Sequence, residues 1–196
     1  FGALIGLREI AARFHDGLKE KSLFYRQLIE NSEMKEKELK DLDALINLSE
    51  LLSKKPKIEE FLPASFMVLE NNFQFEKFVI LLKNDVNEYS IFDGYGCREE
   101  TYHKFKFRAD SNFFSLLPKN DMDLFDSNSF PWELFFSEED HKESNQLIFI
   151  PLRIETEIYG YLVILRVPSN MEIPWMRKLA GFLSSFYSIA LALKKS

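Results

Sequence analysis

Two apolar runs near the C-terminus carry the clearest pattern in the chain. Leu147-Ile148-Phe149-Ile150-Pro151-Leu152-Arg153-Ile154 and Ile158-Tyr159-Gly160-Tyr161-Leu162-Val163-Ile164-Leu165 are separated by the polar Glu155-Thr156-Glu157. Short runs rich in β-branched and aromatic residues around a polar turn predict an antiparallel hairpin. A helix follows from near Pro174, with Leu179, Phe182, Leu183, Phe186, Ile189, Ala190 and Leu193 on one broad stripe and Lys194 and Lys195 at its negative end. Upstream, the apolar run 78–82 and Tyr89-Ser90-Ile91-Phe92 flank the turn Asn84-Asp85-Val86-Asn87, which predicts a second hairpin closed by Asp93-Gly94-Tyr95-Gly96. Residues 102–108 alternate strictly around Phe105 and Phe107, with Lys104, Lys106 and Arg108 between, so a third strand near a sheet edge is expected there.

The first fifty residues follow a different period. Leu4, Ala11, Leu18, Tyr25, Ser32, Leu39 and Ile46 form one set of heptad positions, and Leu7, Phe14, Lys21, Leu28, Lys35, Leu42 and Ser49 the other. Seven heptads in one frame are the pattern of a coiled-coil seam. Lys21, Ser32 and Lys35 weaken its middle, Gly17 costs about 1 kcal/mol relative to alanine, and Asn31-Ser32 is a natural break into two helices. Two arrangements satisfy this pattern: a dimerising stalk, or two helices folded back on their own domain. Glu33 with Lys37 and Glu36 with Lys40 are favourable i,i+4 pairs.

Lys54-Lys55-Pro56 ends the helical stretch, because the residue before a proline is driven out of the helical region. Ile58, Phe61, Leu62, Phe66 and Leu69 then mark a further helix, with Pro63 either kinking it or opening its main part. Residues 109–145 have poor periodicity. Asp110-Ser111-Asn112 offers caps before Phe113-Phe114-Ser115-Leu116-Leu117, and Pro131 can open a short helix carrying Trp132, Leu134, Phe135 and Phe136. The rest reads as loops and short helices draped over a sheet.

Composition narrows the functional classes. The chain has 196 residues, enough for one well-buried domain and an extension. Its net charge is −6 without a dense Lys/Arg patch, so the electrostatic footprint of nucleic-acid binding is missing. The lone Cys97 excludes an internal disulfide and fits a reducing, cytoplasmic setting. No run approaches the roughly 18 apolar residues that suggest a membrane span. Phe1-Gly2-Ala3-Leu4-Ile5-Gly6-Leu7 lacks an initiator Met, so a piece of a longer protein is expected. That segment is either the inner end of an upstream membrane helix or the start of the stalk; direct membrane contact by this fragment is not expected.

The element order implies an α+β fold: an antiparallel sheet of five to six strands flanked by helices, with a long N-terminal helix or coiled-coil extension. From about Leu39 to Leu193 the chain resembles a GAF domain. The residues that carry the likeness are 45–52 running into the Ile58 helix, the strand at 78–82, Ile150-Pro151-Leu152, and Tyr159-Gly160-Tyr161-Leu162. Glu155-Thr156-Glu157 departs from the Gly or Asn common in that family, so a longer or bulged hairpin is expected. The resemblance implies residues 1–38 as a helical stalk or coiled-coil linker and 39–196 as a GAF-like sensory domain. It further implies a non-catalytic regulatory part of a larger signalling protein, homodimeric through its helices. A small-molecule ligand, where there is one, would lie between the sheet and the segment before the penultimate strand, beside Phe105, Phe107, Phe113, Phe114, Leu117, Phe130, Trp132 and Phe135. No cofactor is named by the chain. The alternative is a scaffolding module for protein–protein contact, with these aromatics simply filling the interior.

Specific chemistries find little support. Cys97 is followed by Arg98 rather than His, unlike a bilin attachment site, and one cysteine cannot complete the thiol cycle of the methionine-sulfoxide-reducing relatives. Asn120-Asp121, Phe125 and Glu138-Glu139-Asp140 do not reproduce the signature of cyclic-nucleotide-binding members. His15, His103 and His141 lack metal-ligand spacing, and the last two are expected at the surface. Glu138-Glu139-Asp140 reads as a solvated loop. No phosphate-binding glycine loop, nucleophile elbow or kinase signature is present.

Overall fold

The computed structural model describes residues 2–30, 36–54, 57–126 and 128–195. They divide into two compact units: the chain up to Phe73 together with residues from Ser185 onward, and Gln74–Ser184.

The first unit is helical. It comprises α1 (Gly2–Glu30), α2 (Glu36–Lys54), α3 (Ile58–Phe73) and the later part of α8 (Ile173–Lys195). α1 runs antiparallel to α2: His15 Nδ1 hydrogen bonds with Ser49 Oγ, and Arg26 Nη2 lies 2.5 Å from Asp43 Oδ1. The Phe14 ring meets Phe186 edge-on at 4.9 Å, and the Tyr187 hydroxyl donates to Ser65 Oγ at 2.9 Å. The heptad frame is therefore shared between two helices that pack on each other, with Ala11, Leu18, Leu42 and Ser49 buried. Ser32, Lys35 and Glu33 lie outside the described residues. α2 also buries Ala44, Leu45, Leu48 and Leu52, a face wider than two positions per heptad and typical of a bundle helix. The Lys40–Glu36 pair forms at 3.6 Å. α3 continues through Pro63, which lies within the helix rather than opening it.

The second unit is built on one six-stranded sheet in the order β3-β2-β1-β6-β5-β4, antiparallel throughout. The strands are β1 (Lys77–Lys83), β2 (Glu88–Tyr95), β3 (Lys106–Arg108), β4 (Asp123–Asp126), β5 (Gln146–Ile154) and β6 (Glu157–Arg166). β1, β6 and β5 occupy the centre and are buried on both faces, which explains their unbroken apolar runs. Alternation sends Val79, Leu81, Phe149, Tyr161 and Val163 to one face, and Phe78, Ile80, Ile150, Leu162 and Ile164 to the other. Gly160 lets β1 and β6 close on each other, since a Cβ there would sit 2.1 Å from the Leu81 carbonyl oxygen. Ser184 Oγ, on the first part of α8, donates to the Pro151 carbonyl at 2.7 Å.

The β5–β6 turn is tighter than the three-residue link expected. Ile154 pairs with Glu157, leaving Glu155-Thr156 as the turn, and Glu155 takes a left-handed φ of 56°. The expected bulge is present: pairing steps from Leu152–Gly160 to Arg153–Ile158, which leaves Tyr159 as the extra residue.

Four short helices accompany the sheet: α4 (Glu99–Lys104), α5 (Asn112–Leu116), α6 (Trp132–Phe135) and α7 (Glu138–Glu143). The strand expected over 102–108 is corrected to the end of α4 followed by the three-residue β3. Glu99 and Glu100 in the first turn and His103 and Lys104 in the last suit the dipole of α4, and this outweighs the Phe105/Phe107 alternation. Ser111 caps α5 by accepting from Phe114 N, and α6 opens after Pro131, as their sequences suggest.

Candidate functional site

The sheet face carrying Val79, Leu81 and Phe149 is covered by aromatic side chains. Phe105, Phe107, Leu117, Phe130 and Phe135 are buried in this cluster, and Phe113, Phe114 and Trp132 pack against it half-buried. All eight residues expected beside a ligand are thus brought together. The rings touch one another: Phe113 and Phe135 lie 4.6 Å apart, Phe105 meets Phe136 edge-on at 5.1 Å, and Phe107 stacks on Tyr89 at 5.1 Å. Trp132 lies flat on the His141 ring, 4.0 Å away and 4° from parallel. His141 is therefore half-buried, which corrects the expectation of a surface group.

Beside this cluster lies an open cleft of about 420 Å³. The end of β1 supplies Lys83, β2 supplies Tyr89, and α5 with the segment after it supplies Phe114, Lys119 and Asn120. The β5–β6 hairpin contributes Arg153, Thr156, Glu157 and Ile158. Phe114 is the one lining residue anticipated from sequence; the other seven belong to the packed mass behind. Lys119 Nζ stands 3.7 Å from the Phe114 ring centre and donates to the carbonyls of Phe114 at 2.5 Å and Leu117 at 2.9 Å. Burial lowers its pKa. Lys83 Nζ lies 5.8 Å from the Tyr159 ring centre, and Arg153 Nη1 donates to Asn120 Oδ1 at 2.6 Å. The Tyr89 hydroxyl donates to the Ile158 carbonyl at 2.9 Å; burial, and then the charge of Glu157, pushes its phenol up to about 12, so it stays neutral. A groove of similar size, about 430 Å³, lies along Gln74, Glu76, Asn145 and Arg166, but Glu76 neutralises Arg166 there at 3.1 Å.

The most strongly coupled charges sit at the opposite end of β1. Lys77 Nζ lies 2.5 Å from Asp140 Oδ1, 2.8 Å from Glu143 Oε2 and 2.9 Å from the Gly96 carbonyl oxygen. Asp140 also accepts from the Arg98 amide at 2.8 Å and from the Thr101 hydroxyl. Thr101 Oγ1 in turn accepts from Ser137 N, while the Ser137 side chain caps Asp140 N at 3.1 Å. Burial alone would raise the Asp140 carboxyl, but hydrogen bonds from Lys77 and Thr101 overcome it and hold the group below its ordinary value. Burial likewise pulls Lys77 down, and the bonds to Asp140 and Glu143 more than offset that. The reading of Glu138-Glu139-Asp140 as a solvated loop is corrected: all three lie in α7, and Asp140 is fully buried while Glu138 and Glu139 are exposed. Gly96, with φ of 77°, admits the close pass of Glu76, whose carbonyl oxygen would lie 2.1 Å from a Cβ. Lys77 and both oxygens of Asp140 are engaged internally, which marks the knot as structural.

Cys97 adjoins the knot. Burial, then the charge of Asp140, pushes its thiol up to about 12, so little thiolate forms near neutrality. Among the described residues no His, Cys, Asp and Glu cluster has the makings of a metal site, and no helix is long and apolar enough to cross a membrane.

Neither a protein-family model nor a curated protein sequence matches the chain. Solved structures do. The GAF domain of a phosphoenolpyruvate-protein phosphotransferase from Coxiella burnetii aligns over 79% of this chain and 96% of its own, with 16% identity and a TM-score of 0.59. A phycoerythrobilin-bound GAF domain from a cyanobacterial phytochrome covers 80% of this chain and 97% of its own, at 10% identity and a TM-score of 0.57. Free methionine-R-sulfoxide reductase from Neisseria meningitidis, solved with its substrate, covers 82% and 95%, at 14% identity and a TM-score of 0.57. The chain therefore has a GAF-like fold, as its sequence resemblance implied.

Proposed function

We propose that this GAF-like chain is a non-catalytic regulatory domain of a larger cytoplasmic signalling protein, and that it binds a small molecule in the cleft backed by the aromatic cluster. The observation that carries the reading is the cleft itself: an open hollow of about 420 Å³ with Tyr89, Phe114 and Ile158 as apolar wall and a few convergent polar groups. Small-molecule sites have that size and combine an apolar wall with convergent polar groups. The protonated Cys97 is a poor nucleophile, which favours a binding role over thiol catalysis. Occupancy would bias the packing of the flanking elements, a population shift of the usual kind. In this reading two copies associate through their helices, using the outward apolar residues Ile5, Ile10 and Leu23 of α1. Native mass spectrometry of freshly purified protein tests both parts. A retained small mass and a dimer are expected; a bare monomer at high concentration would remove the support for each.

The scaffolding alternative draws on a different observation, the ring-to-ring packing of Phe105, Phe107, Phe113, Phe130 and Phe135, which fills the interior. It predicts no retained mass and no ligand-dependent change in stability.

A further inference from the structure

Resting on the small-molecule reading of the cleft, we infer that its ligand is a compact organic anion, carrying carboxylate or phosphate groups on a flat or apolar body. Three of the residues lining the cleft are cationic, Lys83, Lys119 and Arg153, and one, Glu157, is anionic. Two positive charges are thus in excess at this spot on a chain whose net charge is −6.

The state of Lys119 is the sharpest sign. Its ammonium is half-buried and lies over an aromatic ring, with two carbonyl oxygens as its hydrogen-bond acceptors and, among the described residues, no carboxylate partner. Burial disfavours its charged form without a counter-ion to restore the balance. Lys83 likewise faces a ring rather than a carboxylate. Lys83 and Lys119 thus line one hollow, where like charges repel and an anion is favoured. An anion entering the hollow would supply the missing counter-charge and displace water from an already partly desolvated ammonium. Arg153, which donates to Asn120, adds a third positive charge to the lining. Phe114, Tyr89 and Ile158 provide the apolar wall for the body of the ligand. The neutral Tyr89 phenol adds no opposing charge.

The experiment is calorimetric titration of the whole chain with two anions, phenyl phosphate and phthalate, and with their uncharged counterparts, phenol and phthalamide. At least one anion should bind tenfold or more tightly than its neutral counterpart, and inorganic phosphate alone more weakly than phenyl phosphate. Lys119→Gln should weaken the anion about tenfold and leave the neutral compound unchanged, with Lys83→Gln as a second variant should the first fail to fold. Equal binding of charged and neutral partners, or anion binding indifferent to both lysine changes, overturns the inference while leaving the cleft a binding site. Absence of binding by all four compounds overturns the inference and the small-molecule reading together.

Discussion

β1 has a lysine at each end, and the two lysines live in opposite electrostatic settings. Lys77 is buried and meets two carboxylates and a carbonyl oxygen. Lys83 opens onto the cleft beside Lys119 and Arg153, where Glu157 is the one lining carboxylate. At the first end every charge has an internal answer, and the outcome is a lock joining β1 to α4 and α7. At the second end Lys83 and Lys119 meet aromatic rings and carbonyl oxygens, and among the described residues neither forms an ion pair. Saturated networks hold a fold together, whereas unsaturated ones near a cavity are where a ligand gains most.

The most damaging way to disturb this contrast is to unbalance the saturated end. Asp140→Ala leaves Lys77 with the half-exposed Glu143 and the Gly96 carbonyl, and strips the Arg98 amide and Thr101 hydroxyl of their acceptor. Loss of a buried partner of this kind costs about 3–5 kcal/mol, to be read from urea denaturation at pH 7; a loss below about 1 kcal/mol would mean the lock is ornamental. A steric change near the other end comes next. Gly160→Ala drives a Cβ against the Leu81 carbonyl and should destabilise by about 1–3 kcal/mol through overpacking between β1 and β6; unaltered melting would show that the strands part freely there.

The pH dependence of the lock is a smaller effect with a defined sign. Asp140 is held below its ordinary value of 3.8, so its contribution is in place above that pH and fades as pH falls through its own lower value. Lys77 is held above 10.5, so its share is complete below 10.5 and is lost only as pH rises past its elevated value. The stability gap between the natural chain and Asp140→Asn should therefore be wide from about pH 5 to 9 and narrow toward pH 2. A constant gap across that range would show that the carboxylate charge is not what Asp140 contributes. Least of all should Lys119→Met matter for folding, about 1 kcal/mol or less, because the groups left without this donor are the Phe114 and Leu117 carbonyls rather than a buried carboxylate. A large loss in denaturant titration would make Lys119 a structural residue like Lys77 and erase the contrast.

How much of this could be read from the chain depends on how far apart the cooperating residues lie. β1, β5 and β6 are central strands, so their uninterrupted apolar runs announce them. β4 escaped notice because it is a four-residue edge strand bounded by Asp123 and Asp126. α7 looked like an acidic loop because Asp140 finds its lysine 63 positions earlier, a distance no local pattern spans. The N-terminal heptads were plain, but periodicity cannot say whether a seam is met by another copy or by the next helix; here α1 meets α2. The aromatic residues of the site were legible as a group, since 20 phenylalanines concentrate attention on them. The cations of the cleft were not. Lys83, Lys119 and Arg153 come from three separate segments and converge only once the sheet has formed. A lone lysine after an apolar strand, or after a proline as at Pro118-Lys119, carries no mark of its destination.

The extra residue in β6 has a consequence of its own. Along a regular strand odd and even positions never change sides, and Tyr161, Val163 and Leu165 hold the odd side inward. Tyr159 breaks the count, so the even-numbered Ile158 joins the same interior and brings its carbonyl to the Tyr89 hydroxyl. One surplus residue thus acts as a parity switch for the hairpin tip. Excising Tyr159 would straighten the strand and leave Ile158 opposite Arg153 on the side it already takes, whereas ironing the bulge out with Tyr159 kept, so that it pairs with Arg153, would turn the tip over.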